Sequence, residues 1–191
     1  MDREGPRGDR ARIRERLQAK IRACISFARV RLSSGKETDF YFDGRQVSLD
    51  PEGSVLIGEL MLDEIERKGG VEAVGGLTSG ADPITSAIGV LAYQRGVPLK
   101  LFYVRKEPKA HGLGKQIEGP TLASGTRVVI VDDVITTGKS ILESRRVVEK
   151  ETGAKVLGAL ALVDREEGGR QTLEREGLEV LSLYRRSDFL P

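Results

Sequence analysis

The stretch VVIVDDVITTGKS, residues 128–140, carries two kinds of chemistry side by side. Four apolar residues lead into Asp132 and Asp133, and Thr136, Thr137, Gly138, Lys139 and Ser140 follow. The apolar run reads as a buried strand, and a helix begins near Gly138. In open parallel sheets, ligands bind at the carboxyl ends of the strands. The amides of Val134 to Ser140, Ile135 included, would then face outward at a helix start, which is a ready anion site. Gly138 lets the backbone come close. Two carboxylates beside a phosphate binder demand a ligand that wants both.

Three simpler readings compete. A P-loop needs a glycine five residues before Gly138, where this chain has Asp133, and a carboxylate inside a phosphate cradle would repel the ligand. Gly35-Lys36 and Gly114-Lys115 are not followed by Ser or Thr. An acidic strand holding magnesium in an ATPase would lack any visible P-loop. Two solvated acids capping a helix would leave the Thr-Thr-Gly-Lys-Ser continuation unexplained. A diol that also bears a phosphate monoester satisfies both halves. Carboxylates accept hydrogen bonds from vicinal hydroxyls, and the helix start holds the phosphate. A ribose 5-phosphate has that shape.

A second stretch, RKEPKAHGLGKQIEG at 105–119, gathers Arg105, Lys106, Lys109, His111 and Lys115 among Gly112, Gly114 and Gly119. It reads either as a solvated charged hairpin or as a mobile lid whose cations close on a dense anion and exclude water.

The elements that must position these residues follow from periodicity. Ile13, Leu17, Ile21 and Ala28 recur at helical spacing over 10–30, with arginines on the other face. Residues 40–42 form a short strand closed by Asp43-Gly44. A helix is predicted from Pro51 to about Lys68, with Asp50 as its N-cap and Gly69-Gly70 as its stop. Strands are then expected near 73–77, 99–104, 127–131, 156–163 and 178–183, with helices over 82–95, 138–151 and 169–176. That alternation predicts an α/β fold: a five-stranded parallel sheet flanked by helices. The exception is 105–126, which has no helical pattern.

The 191 residues favour one domain. Thirty-one basic and 29 acidic residues leave a net charge of +2, too little for a global pull toward nucleic acid. The single cysteine, Cys24, excludes an internal disulfide, and the single histidine, His111, argues against a His-rich zinc site. No apolar run reaches membrane-spanning length, and the charged start MDREGPRGDR lacks a signal-peptide core. A cytoplasmic chain without nucleic-acid or membrane partners is the expectation.

The stretch 128–140 resembles the phosphoribosyl-pyrophosphate (PRPP) motif of the type I phosphoribosyltransferases. The order of basic residues and glycines at 105–119 resembles the flexible loop of the orotate phosphoribosyltransferase family. LSSGKETDFYFDGR at 32–45 resembles that family's N-terminal hood, GGLTSGADPI at 75–84 its pyrophosphate-side loop, and LVDREEGG at 162–169 its Asp-Arg stretch. Together these cover about 20–185. The resemblance implies a type I phosphoribosyltransferase fold over 1–191, with a small hood at about 10–50, a core at about 51–185 and a flexible lid at about 105–119.

It also implies roles. Asp132 and Asp133 bind ribose hydroxyls, and Val134 to Ser140, with Thr136 and Thr137 among them, bind the 5-phosphate. Arg105, Lys106, Lys109 and His111 contact pyrophosphate, with Lys109 and His111 reaching into the neighbouring site of a homodimer. Lys109, His111, Asp132 and Asp133 form the implied catalytic set. Thr136 and Arg165 lie beside orotate, Tyr41 and Phe42 flank the base, and Thr78, Ser79 and Gly80 form the pyrophosphate-side loop. Ser33 and Gly80 stand where some members carry lysines. The implied reaction converts PRPP and orotate to orotidine 5'-phosphate and pyrophosphate, with Mg2+ bound through PRPP rather than by the protein. A purine-base member of the same fold, or a PRPP-binding regulator that reads nucleic acid through the Arg-rich helix, remain the alternatives.

Overall fold

A computed structural model describes residues 6–27, 30–31, 37–38, 40–108 and 114–190. The chain opens with helix α1 (Pro6–Ala23) and four two-residue strands, β1 (Ile25–Ser26), β2 (Val30–Arg31), β3 (Glu37–Thr38) and β4 (Tyr41–Phe42). Helices α2 (Arg45–Ser48) and α3 (Pro51–Lys68) follow. Then strands and helices alternate: β5 (Ala73–Leu77), α4 (Ala81–Gln94), β6 (Lys100–Val104), β7 (Ile117–Glu118), β8 (Arg127–Ile135), α5 (Lys139–Thr152), β9 (Lys155–Asp164), α6 (Gly169–Arg175) and β10 (Glu179–Arg185).

The central sheet has the order β10-β9-β8-β5-β6-β7. Its first five strands are parallel, and β7 adds a sixth, antiparallel edge that the sequence did not suggest. The returning arm of the irregular stretch makes this edge, with Ile117 opposite Val104 and Glu118 opposite Tyr103. Ile117 thereby covers apolar surface at the end of β6.

Both faces of the sheet are buried, because successive side chains of a strand point to opposite sides. Val129 and Val131 join a core with residues of α1, α3 and α4, while Val128 and Ile130 join a second core with residues of α5 and α6. From β5 the chain leaves through α4 to β6, and from β8 it leaves through α5 to β9 on the other side. The gap beyond the carboxyl ends of β5 and β8 is therefore a topological switch point.

The start of α3 follows the expected capping. The Asp50 carboxylate accepts a hydrogen bond from the Gly53 amide at 2.8 Å, and Pro51 occupies the first turn. Helix α1 ends at Ala23 rather than near 30, and Ala28 lies outside the described residues. Ile25 and Ser26 instead pair antiparallel with Phe42 and Tyr41, a tertiary gain that overrides local helical periodicity.

Several basic residues of α1 are engaged by the fold. Arg10 meets Glu64 at 2.7 Å, Arg16 pairs with Glu52, and Lys20 lies 2.8 Å from both Asp50 and Glu52. Arg14 donates to the Leu183 carbonyl and stacks 4.8 Å over the Tyr184 ring. Among the described residues, no helix is long and apolar enough to cross a membrane.

Candidate active site at the sheet switch point

The cleft at the switch point has a volume of about 400 Å³, within the range of small-molecule sites. Its floor is the end of β8. This strand runs to Ile135 rather than stopping at Val131, so Asp132 and Asp133 lie inside it. Pairing with β9 continues through Asp132 opposite Ala161 and Ile135 opposite Asp164. Pairing with β5 reaches only Gly75 opposite Ile130. The two aspartates therefore sit where β8 has lost one neighbour and faces the gap.

Strand alternation gives the two aspartates opposite parity, yet their carboxyl groups still meet at the cleft. Asp132 shares the parity of Val128 and Ile130 and meets the start of α5: the Ser140 hydroxyl donates to its Oδ2 at 2.5 Å, and the Asp133 amide donates to its Oδ1 at 3.0 Å. Asp132 is 6 % exposed. Burial first, and the negative charge of Asp133 second, push its carboxyl up to about 7, while the Ser140 hydrogen bond opposes the rise. Asp133 lies beside the hood and the start of α4. A Cβ added to Gly44 would lie 2.9 Å from Asp133 Oδ2, and one added to Gly80 would lie 2.7 Å from Asp133 Oδ1. Two glycine backbones thus close on this carboxylate, and any side chain at either position would displace it.

The loop after β8 turns at Gly138, whose φ of 81° suits glycine, and α5 starts at Lys139. Val134, Thr136 and Ser140 line the cleft, whereas Ile135 is buried in the core behind it. Thr137 and Lys139 are exposed and line a separate depression with Glu143 and Arg146. Neither lines the cleft.

The other walls come from distant segments. Tyr41 and Phe42 line the hood side, and Thr78, Ser79 and Gly80 the α4 side, with a cis peptide between Thr78 and Ser79. Arg165 follows β9 directly. Its amide donates to the Ile135 carbonyl at 2.9 Å, which draws the residue toward the acidic floor. It is 7 % exposed, lines the cleft, and its Nη2 lies 2.6 Å from Glu167 Oε1. Lys106 also lines the cleft, while Arg105 stands outside the lining and lies 3.4 Å from Glu118. Lys109 and His111 lie outside the described residues.

Residues 116–119 belong to the anchored arm: Gln116 exchanges hydrogen bonds with the Arg105 backbone, and its amide donates to Glu151 at 3.0 Å. Four lining residues were not read from the sequence as site residues: Asp43, Gly44, Arg45 and Leu77. The signal was present in the DGR that follows the hood aromatics, but it reads locally as an ordinary turn.

Residues 57–177 match the family of the phosphoribosyl transferase domain. The orotate phosphoribosyltransferase of Aquifex aeolicus is 47 % identical over 160 residues, covering 84 % of this chain and 86 % of the relative. That of Sorangium cellulosum is 43 % identical over 182 residues, covering 93 % of each. The crystal structure of Mycobacterium tuberculosis orotate phosphoribosyltransferase in complex with PRPP superposes with a TM-score of 0.76 at 37 % identity, covering 93 % of this chain and 98 % of that one.

Proposed function

The chain belongs to the orotate phosphoribosyltransferase family, and from that premise we propose how its cleft carries out the family's reaction. The protein transfers the ribose 5-phosphate group of PRPP to orotate, giving orotidine 5'-phosphate and pyrophosphate, a step of de novo pyrimidine (UMP) synthesis. One observation carries this assignment to the cleft: the acidic pair, the phosphate-type helix start and a buried guanidinium share one cavity.

In the proposed arrangement, Asp133 and Asp132 accept hydrogen bonds from the ribose hydroxyls. Backbone amides over Thr136–Ser140 and the Thr136 and Ser140 hydroxyls hold the 5-phosphate. C1 of the ribose then points toward Thr78–Gly80, where the pyrophosphate departs. Orotate lies between the hood aromatics, Tyr41 and Phe42, and Arg165, whose guanidinium meets the ring's carboxylate. N1 of orotate forms its bond to C1 as the bond to pyrophosphate breaks, through an oxocarbenium-like transition state. Fixed cations around the leaving group stabilise the charge that develops there.

Among the described residues, no three carboxylate, cysteine or histidine side chains converge as metal ligands. Two aspartates suit a Mg2+ that enters on the pyrophosphoryl oxygens, where it would neutralise the leaving group. Both substrates are anions that do not cross a bilayer unaided, so the proposal includes a cytoplasmic location.

Lys109 and His111, by resemblance, supply lid cations to the pyrophosphate across a homodimer. The exposed apolar side chains of Leu49, Val55, Val90 and Tyr93, on or beside α3 and α4, support pairing with a second copy. Loss of orotate absorbance with Mg2+ and PRPP tests the activity, and no loss, or equal use of adenine, defeats it.

The shared site has its own test. Lys109→Ala and Asp133→Asn should each be nearly inactive, with melting temperatures close to the unmutated protein. After subunit exchange, half of the dimers are mixed and each holds one intact site, so about a quarter of the unmutated activity should return. No recovery after exchange verified by mass spectrometry would show that each subunit serves only itself.

A further inference from the structure

Arg45 lines the cleft from the hood side, one residue after the glycine that packs on Asp133. It opens α2. Its side chain is 56 % exposed and forks onto Asp43, with Nε 2.9 Å from Oδ1 and Nη2 3.2 Å from Oδ2. Asp43 also lines the cleft and accepts from the Arg45 amide. The guanidinium beside it holds the Asp43 carboxyl below its usual range. Asp133 in turn adds to the negative charge acting on Arg45.

Three carboxylates, Asp43, Asp132 and Asp133, therefore face a cleft that takes a polyanion. The opposite wall offers no side-chain cation at Gly80, since even a Cβ there would crowd Asp133. Arg165 is held by Glu167 on the β9 side. Resting on the substrate placement above, C1 and its pyrophosphate lie between the hood turn at 43–45 and the loop at 78–80.

We propose that Arg45 is the hood's cation for the pyrophosphoryl group, turning from Asp43 to the phosphoryl oxygens when PRPP binds. An exposed ion pair is weak, so a dense anion displaces Asp43 readily. A planar fork matches two phosphoryl oxygens at once. Without Arg45, Asp43 would be left as an unneutralised charge facing the ligand.

Titration calorimetry on the full chain with Mg2+ separates this from a structural role. Three ligands are compared: PRPP, inorganic pyrophosphate and ribose 5-phosphate. Arg45→Ala should weaken PRPP and pyrophosphate about tenfold, with ribose 5-phosphate within about twofold and an unchanged melting temperature. Arg45→Lys should recover part of the loss. Asp43→Asn, which releases the guanidinium, should bind pyrophosphate at least as tightly as the unmutated protein. Unchanged pyrophosphate binding in Arg45→Ala, equal loss of ribose 5-phosphate, or a parallel loss in Asp43→Asn would overturn the proposal. If the unmutated protein bound no PRPP, the substrate placement itself would fall, and Arg45's role with it.

Discussion

Asp132→Asn is expected to raise the melting temperature of the free protein by a few degrees while weakening PRPP binding about 10- to 100-fold. Both effects come from one buried carboxylate. Asp132 is 6 % exposed, and burial together with Asp133 raises its pKa in the fold. A raised carboxyl pKa means that folding favours the protonated form. The stability it contributes is full below the ordinary carboxylate range and is lost as pH rises toward about 7. At pH 8 the free protein therefore holds a strained negative charge. Asparagine is nearly isosteric and neutral: its oxygen still accepts from the Asp133 amide, and its NH2 donates to Ser140. Stability should then lose much of its decline between pH 4 and pH 8. Binding suffers because a charge-assisted acceptor for a ribose hydroxyl is gone. Calorimetric unfolding across pH, paired with PRPP titration, checks both halves. A lower melting temperature with intact PRPP affinity would show that Asp132 serves the fold alone.

Arg165→Ala is expected to raise the orotate KM by about 10- to 150-fold, with the PRPP KM little changed. Orotate differs from uracil by a carboxylate, and Arg165 is a cation buried in the same cleft as the acidic floor. Its Nη2 meets Glu167, and the planar guanidinium fork matches the geometry of a carboxylate. The partner is partly exposed, so truncating Arg165 leaves Glu167 in reach of water and costs little stability. The backbone bond from residue 165 to Ile135 survives the substitution. Lysine should not restore the KM, because a point charge cannot reproduce the fork. Uracil should be a very poor substrate of the unmutated protein, since it forgoes the charge-assisted contact that a site built for a carboxylate supplies. Steady-state kinetics with both bases decides this. Comparable turnover of uracil, or an unchanged orotate KM in Arg165→Ala, would move base selection elsewhere.

Apart from the edge strand β7, the order and kind of the elements from Pro51 onward were legible because each carries its own signal. Asp50-Pro51 starts α3 and Gly69 stops it, and the buried strands are apolar runs between helical patterns. The chemistry of residues 132–140 was legible for a similar reason. Acid pair, hydroxyls and glycine are contiguous, so one local strand-loop-helix unit carries them.

Long-range pairing settled the rest. The end of α1, the edge strand β7 and the extension of β8 through Ile135 each depend on a partner distant in sequence, whose contribution no local window holds. Likewise Arg10, Arg14, Arg16 and Arg22 of α1, free to be a nucleic-acid patch on paper, find acids on α3 and carbonyls at the chain's far end. By itself, the sequence determined which residues could bind a diol, a phosphate and a planar acid, since those capacities belong to side-chain chemistry and short spacing. Only the tertiary structure decided that Ser140 meets Asp132, that Gly44 and Gly80 close on Asp133, and that Asp43 and Arg45 enter the cleft. Those facts arise from strand parity and from close approach of the hood to the sheet, which packing sets and local order does not.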